Sequence, residues 1–502
     1  MSEQHKVYKP KPISGFPEWL PEYRAVELAW LDKIRAVFES YGFCNIETPS
    51  VEEIEALSAK AGETEKEIYT LTRLQEDGVI VKSLYEAVLQ AGFTADAAKQ
   101  QTAEILNDVF YRKKTGLSQE EALQKALQEV EVSLNTKDPR LALHFDLTVP
   151  MARYVAQHFG QLVFPFKRYQ MQKSWRGERP QKGRYREFYQ CDIDVVNIDD
   201  LPLHFDAELP AVLFEAYQAL GIPPVELRIS NRKMLVGYLQ ALGVNDTAVV
   251  TRALDKLDKI GADGVLKTLA DDGIPADVAQ KALAFVQIKT PDSSFAEQVR
   301  ALGVSNDLME QGIQELQFVT DNLKHLHGNG MVADLGIIRG LDYYTGTVLE
   351  ARFKDSAEHW PKGAPSLSIG GGGRYDDLAG SFINQKLPGI GVSIGLTRLF
   401  GLLMDQGKIT AGSKSPADVL VVLPDEARRA EAAETARVLR ARGFKVEMYH
   451  RDAKIKNQIA YAEKKGIPHV WFPSFKDGQS HEVKNMTTGE QAQAEALSWQ
   501  PA

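Results

Sequence analysis

Between Lys167 and Asp194 the chain reads KRYQMQKSWRGERPQKGRYREFYQCDID, with arginine at 176, 179, 184 and 186 gathered around Lys182. Guanidinium forks bind phosphate bidentately, whereas lysine acts as a point charge. Phosphate binding is therefore the chemistry this segment offers. No GxxxxGK[ST] run exists in the chain, so a phosphate of ATP or RNA must be held here by side chains on a sheet and not by a glycine-rich cradle. The flanks read as two strands joined by the basic loop. Residues of equal parity share a strand face. Gln190, Asp192 and Asp194 point one way, Tyr189, Cys191 and Ile193 the other, and Arg176 at the end of the first strand faces the side of Gln190. Unpaired charge is too costly to bury, so this face is either solvent-exposed or a polar pocket.

Three further groups carry possible chemistry. In RGLDYYTG (339–346) the adjacent Tyr343 and Tyr344 point to opposite faces of a strand, so at most one shares a pocket with Arg339. The other reading is an aromatic pair in a sheet core. In DLT (146–148), Asp146 and Thr148 flank Leu147 and share a strand face, or else cap a helix. GGGGRYDD (370–377) lacks a following Lys-Ser/Thr, and GIGVSIG (389–395) does not match GxGxxG. The glycines of both instead permit close backbone approach in a sheet. Arg398 lies one turn into the helix that follows, at an end that favours anions.

These groups need elements to place them. Apolar positions at helical spacing predict a helix over 22–40, stopped by Gly42, with FCNIETP as a short strand. Residues 74–137 read as a helical insertion with Leu123, Ala126, Leu127, Val130 and Leu134 on one face and Ser118 with Glu121 as a capping box. A strand and then a helix with Pro150 in its first turn follow over 141–159, then the hairpin over 163–197 and a helix over about 201–220. Residues 223–325 turn mostly helical, and strands and glycines return from 330. GKITAGSKSP (407–416) marks a boundary. Beyond it strands and helices alternate, which predicts a small α/β domain with a largely parallel sheet.

Composition limits the class. The 502 residues are 44% hydrophobic and 25% charged with net charge −9, and no run of 18 apolar residues exists. A soluble, multidomain protein with no membrane span is expected. The N-terminus lacks a signal-peptide core. Cys44 and Cys191 are the only cysteines and form no CxxC, which predicts a reducing, cytoplasmic setting and no zinc. The acidic balance weakens a generic nucleic-acid binder without excluding basic surfaces that select one RNA. One such surface is the hairpin loop. Another is 428–465, whose arginines and lysines on charge alone read as ordinary solvated helix faces.

Taken together these pieces resemble class II aminoacyl-tRNA synthetases, specifically the histidyl-tRNA synthetase family. WRGERPQKGRYREFYQCDID resembles motif 2, GIGVSIGLTRL motif 3, and the 22–40 helix with NIETP motif 1, the dimerisation motif. DLTVP and RGLDYYTG resemble the two histidine-site signatures, NRKML with ALDKLDKIG the helical insertion, and the tail the anticodon-binding domain. The resemblance implies an α+β catalytic domain on a mainly antiparallel sheet with flanking helices, formed by 1–222 (with the insertion at about 74–137) and 326–406. It implies a helical insertion domain at 223–325 and a C-terminal α/β anticodon-binding domain at 415–502.

It also implies an activity: ATP-dependent formation of histidyl-adenylate and transfer of histidine to the 3′ end of tRNA(His). Arg176 and Arg339 would be catalytic. Asp146, Leu147, Thr148, Arg176, Gln190, Asp194, Arg339, Tyr343 and Tyr344 would bind histidine, with Asp194 and Tyr344 clamping the imidazole. Arg176, Glu178, Arg184, Phe188 and Arg398 would bind ATP, whose pyrophosphate Mg²⁺ neutralises, and Gln181 would reach the tRNA acceptor end. No metal site built from protein alone is implied, and the partners would be L-histidine, ATP, tRNA(His) and a second copy in a homodimer, with no DNA or membrane. Three departures from the family pattern are His144 ahead of DLT where arginine is frequent, Thr397 where motif 3 often has Glu, and Asp194 where many members carry Glu. The alternative is the non-catalytic, histidine-sensing regulatory subunit of ATP phosphoribosyltransferase.

Overall fold

The computed structural model of the protein describes residues 9–71, 78–111, 118–135, 140–338, 344–354, 367–376, 378–380, 382–474 and 478–501. They form two compact units, one built from Val37–Gly401 with Ile13–Phe16, the other joining Pro17–Ala36 to the chain from Leu402 onward.

Helix α1 (Pro21–Ser40) buries Trp30, Leu31, Ile34 and Phe38 and ends where Gly42 turns left-handed at φ 77. Strands β1 (Cys44–Asn45) and β2 (Val51–Glu53) and helix α2 (Ile54–Ala61) follow. The insertion is helical as expected: α3 (Gly78–Gln90), α4 (Ala95–Leu106) and α5 (Gln119–Asn135) pack around Val81, Ala103, Leu106, Ala126 and Val130. Its capping box is formed, with Ser118 N donating to Glu121 Oε2 at 2.9 Å and Glu121 N to Ser118 Oγ at 3.3 Å. Ser118→Ala is expected to cost about 1 kcal/mol of local stability, read as faster amide exchange in the first turn of α5.

β3 (Leu141–Leu143), α6 (Thr148–Gln157) and the antiparallel pair β4 (Phe166–Trp175) and β5 (Glu187–Val196) come next, then α7 (His204–Leu220), β6 (Val225–Asn231) and α8 (Arg232–Ala241). The helical stretch holds α9 (Thr247–Leu254), α10 (Leu257–Asp271), α11 (Ala276–Val286), the two-residue β7 (Lys289–Thr290), α12 (Phe295–Arg300) and α13 (Asp307–Asn322). β8 (Met331–Asp334), β9 (Thr347–Phe353), β10 (Gly370–Tyr375) and β11 (Gly389–Gly395) complete the larger sheet, and α14 (Leu396–Asp405) follows it.

Among the described residues the large sheet has nine strands in the order β1-β4-β5-β11-β10-β9-β6-β8-β7. Only β1·β4 and β6·β8 are parallel among the described residues, so it is mainly antiparallel, as expected. Two details differ from the sequence reading. β6, which opens the segment expected to be a helical insertion, is an inner strand of this sheet between β9 and β8. Asp146 and Thr148 do not share a strand: β3 stops at Leu143, and Thr148 begins α6. Three residues cannot separate a strand end from a helix-start turn, and the capping requirement of α6 decides it. Behind the sheet α7 packs on β11, fastened by Tyr217, whose hydroxyl donates to Ile369 O at 3.1 Å, and by the buried Arg374–Asp206 pair at 2.6 Å.

In the other unit β12 (Val419–Val421), α15 (Arg429–Ala441), β13 (Val446–Met448), α16 (Ile455–Lys465) and β14 (His469–Phe472) alternate as predicted, and β12 runs parallel to both β13 and β14. Two antiparallel strands that the sequence reading did not anticipate, β15 (His481–Asn485) and β16 (Gln491–Ala494), extend this sheet. Several of the basic residues at 428–465 are occupied locally: Arg437 pairs with Glu434 at 2.6 Å, and Arg442 donates to the carbonyls of Ala496 and Trp499. That suits ordinary helix faces.

Candidate active site

The hairpin β4–β5 sets the site by register. Arg168 lies opposite Asp194, Gln170 opposite Asp192 and Gln172 opposite Gln190. On the other side of β5, Gly391 lies opposite Asp194, Ser393 opposite Asp192 and Gly395 opposite Gln190. One face of three strands is thus polar but covered: Arg168, Asp194 and Asp192 are 0%, 2% and 4% exposed. Of the two readings open to the sequence, the polar pocket is the one observed.

Burial of that much charge requires partners. Arg168 Nη2 meets Asp194 Oδ2 at 2.6 Å, Tyr375 donates its hydroxyl to Asp194 Oδ1 at 3.0 Å, and Arg168 Nη2 reaches Leu147 O at 3.4 Å. Gly391 is glycine for a steric reason: a Cβ there would stand 2.0 Å from Asp194 Oδ1. The same close approach rules β10, where a Cβ on Gly372 would sit 2.0 Å from Gly391 O. On the same face Gln170 donates to Thr48 Oγ1 and Gln172 to Thr48 O, both at 2.8 Å, tying the NIETP segment to β4.

Two connected spaces open on this face. The larger, about 620 Å³, is lined by Arg176, Glu178, Arg184, Phe188, Gln190 and Arg398 together with the glycine backbone of Gly370, Gly371 and Gly395. The smaller, about 240 Å³, is lined by Thr148, Asp192, Asp194, Tyr344, Tyr375 and Gly391. Gly371 and Ser393 line both. In the larger space Arg176 is held by its Nε, which donates to Phe145 O at 3.0 Å, and its guanidinium lies over the Phe188 ring at 5.1 Å. Arg398 donates from Nε to Gly183 O at 2.7 Å and from Nη1 to Ser368 O at 2.9 Å. Arg184 pairs with Glu178 at 3.0 Å. Burial, then the positive charge of Arg176 and Arg184, holds the Arg398 guanidinium below its ordinary value. Three cations crowded into a half-covered cleft favour a polyanionic guest.

Asp146 is buried at the start of α6. Its Oδ1 accepts from Val149 N at 3.2 Å, so it caps the helix, and its Oδ2 has no hydrogen-bond partner among the described residues. Leu147 contributes its carbonyl to Arg168. Gln181 is exposed in the hairpin loop, where its backbone bridges Arg184. Arg339 and Tyr343 lie outside the described residues. The family departures have local partners: Thr397 Oγ1 accepts from Tyr189 N at 2.8 Å, and the His144 ring bridges Pro49 O and Lys173 O at 3.2 and 2.7 Å. The sequence reading gave no role to Arg168, Tyr375 or Ser393. The signal for Arg168 was the i, i+2 run Arg168, Gln170, Gln172, Ser174 in a strand whose neighbour carries two aspartates.

Burial raises Asp146 to about 6 and Asp192 to about 7, against the lowering pull of Arg168 on both. A carboxyl raised in the folded state keeps a proton the unfolded chain has already released. Its stabilising contribution is complete below about pH 4 and is lost as pH climbs through those values. Asp192→Asn is therefore expected to flatten the fall in melting temperature of the ligand-free protein between about pH 5 and 8. Parallel wild-type and variant curves would contradict it.

Comparison with known proteins agrees with this geometry. Residues 97–399 match the family model described as histidyl-tRNA synthetase, and 418–499 match that of an anticodon binding domain. A histidine–tRNA ligase of Thermobifida fusca is 50% identical over 99% of this chain and 100% of its own length, and one of Micrococcus luteus 42% identical over 97% and 96%. The crystal structure of histidyl-tRNA synthetase from Nostoc sp. superposes with a TM-score of 0.75 at 32% identity, covering 98% of both chains. A Bacillus halodurans protein described as an ATP phosphoribosyltransferase regulatory subunit/histidyl-tRNA synthetase shares the fold, with a TM-score of 0.64 at 18% identity over 91% of this chain and 97% of its own. The chain belongs to the histidyl-tRNA synthetase family.

Proposed function

We propose that the larger space holds ATP and the smaller one histidine, and that the protein is a histidine–tRNA ligase. The observation that carries this is the convergence of Arg176, Arg184 and Arg398 on a cleft that runs into a buried, acid-lined pocket through Gly371 and Ser393. In the first step a histidine carboxylate oxygen attacks the α-phosphorus of ATP, the bond to the bridging oxygen breaks, and pyrophosphate leaves. In the second a terminal ribose hydroxyl of tRNA attacks the adenylate carbonyl, loses its proton, and AMP leaves. Both steps build charge on phosphate or carbonyl oxygens, where fixed cations count most.

Arg176 holds the α-phosphate beside the attacking carboxylate, and Arg339 acts across from it. The glycine backbone of β10 and β11 offers adenine a flat bed, closed by Phe188 and Arg398, while Arg184 and Glu178 border the triphosphate. Asp146, Thr148 and Gln190 receive the ammonium group, and Asp194 and Tyr344 flank the imidazole. Mg²⁺ suits this arrangement as an ion carried in on the triphosphate, because such a site needs only one or two carboxylates and Glu178 lines the cleft; it would neutralise the leaving pyrophosphate. Gln181 reaches the acceptor end of tRNA(His), and the unit carrying β12–β16 reads its anticodon. The protein works in the cytoplasm as a homodimer, a reading supported by the likeness of α1 and its following strand to motif 1 and by the exposed Leu20 and Leu28.

Full-length relatives at 50% and 42% identity disfavour the regulatory-subunit alternative. ATP–pyrophosphate exchange tests the reading directly. Exchange is expected with histidine and with no other standard amino acid; its absence from well-folded protein would leave a regulatory role.

A further inference from the structure

His144 lines neither space, yet it joins the segments that hold the larger one. It is fully buried between β3 and α6. Its backbone N donates to Ser50 O at 3.2 Å, and its carbonyl accepts from Trp175 N at 3.1 Å. Its ring lies against the Trp175 ring, centroids 5.4 Å apart, with Nδ1 3.2 Å from Pro49 O and Nε2 2.7 Å from Lys173 O. The end of NIETP and the end of β4 are therefore tied to the same residue.

Both atoms facing the ring are carbonyl oxygens, which only accept, while a neutral imidazole carries one N–H. Burial pushes His144 below its ordinary value, against the raising pull of the Lys173 and Pro49 carbonyls and of Glu52 on β2. Glu52 is itself paired with Arg153 of α6 at 2.6 Å. The ring is thus neutral near pH 7, and the shorter contact assigns its proton to Nε2, donating to Lys173 O. The next residues carry the consequence. Beside the Trp175 N to His144 O bond lies the bond from Arg176 Nε to Phe145 O at 3.0 Å, so 144–145 and 175–176 run side by side. Phe145 packs with Leu57, Ala142 and Val149. Such apolar contacts are non-directional, so the direction of its carbonyl is set by the hydrogen bonds of its neighbours.

We infer that His144 is the positioning residue of Arg176: its Nε2–H bond to Lys173 O fixes the turn that aims the Phe145 carbonyl at the guanidinium. This rests on Arg176 acting at the α-phosphate. A guanidinium held by one carbonyl at Nε can still pivot about that bond. Where the carbonyl stands decides where the two Nη groups meet the phosphate, and a misplacement of about 1 Å at a reacting centre costs about a hundredfold in rate. His144 touches no substrate, so its effect falls on the transition state, through Arg176, more than on either KM.

The test uses the full-length protein, with adenylate formation measured in single turnovers and both KM values by pyrophosphate exchange. His144→Phe keeps a ring against Trp175 and removes both nitrogens. His144→Gln puts an amide N–H where Nε2 stands, and the amide of His144→Asn reaches only the place of Nδ1. At saturating histidine and ATP the rate is expected to fall about tenfold to a hundredfold in His144→Phe and His144→Asn. It is expected to stay within about threefold of wild type in His144→Gln, with both KM values within about threefold throughout. Adding His144→Phe to Arg176→Ala is expected to slow that variant by less than about twofold, because the first change acts only through the second. A wild-type rate in folded His144→Phe overturns the proposal. So does a His144→Gln rate no better than that of His144→Phe, and so do losses that multiply in the double variant, which would mean damage independent of Arg176. Wild-type protein with no histidine-dependent exchange is a different failure, that of the ligase reading itself.

Discussion

Arg176→Ala is expected to slow histidine-dependent adenylate formation by about 10²–10³-fold while leaving the circular dichroism spectrum and melting temperature near those of the wild type. The magnitude follows from where the side chain is tied. Its Nε is taken by Phe145 O and its plane rests on Phe188, so the guanidinium is fixed before substrate arrives and its two Nη groups are left for the cleft. Such a donor pays no reorganisation when charge develops on the α-phosphate, which is the condition under which one preorganised donor contributes about 3–4 kcal/mol to a transition state. Fold stability draws little on it, because it lines a cleft and forms no ion pair among the described residues, acting on the buried Asp146 only as a nearby charge. Arg176→Lys is expected to restore little, since an ammonium cannot use the Phe145 carbonyl and the phosphate in one plane. Single-turnover formation of adenylate within about fivefold of wild type would remove Arg176 from the chemistry.

The contrast between legible and illegible parts of this site has a physical basis. The basic loop was readable because four arginines fall within eleven residues, and the strand after it because Gln190, Asp192 and Asp194 alternate with apolar residues. The strand before it was opaque. Arg168, Gln170 and Gln172 received no role from the sequence, and only the register that sets them against Asp194, Asp192 and Gln190 reveals a buried polar layer. Gly391 shows the same limit: the sequence marks a strand where backbones come close, but the need for glycine at that position comes from the Asp194 carboxylate on the neighbouring strand. β15 and β16 escaped notice because HEVKN and QAQA carry little apolar alternation and are held by pairing with β14 and each other. Patterns within one element are local, while the pairing that gives them meaning is not.

Arg168→Leu is expected to be the most destabilising single change in the pocket, at about 3–5 kcal/mol. The wild-type guanidinium is fully buried against Asp194, and its removal leaves that carboxylate facing Asp146 and Asp192 with no cation supplied from β4. Burial already raises Asp194 and Arg168 pulls it back down, so the variant lifts Asp194 further above its unfolded value. A carboxyl raised on folding favours the fold at low pH and loses that contribution as pH rises through its folded value. The deficit of Arg168→Leu should therefore be small near pH 5 and widen toward about pH 8. Adding Asp194→Asn to Arg168→Leu should recover much of the loss, because the penalty belongs to the abandoned charge and not to the missing contacts of arginine. A deficit that is the same at both pH values and unaffected by the second substitution would mean that Arg168 acts by packing alone. Asp194 would then owe neither its ionisation nor its orientation to β4.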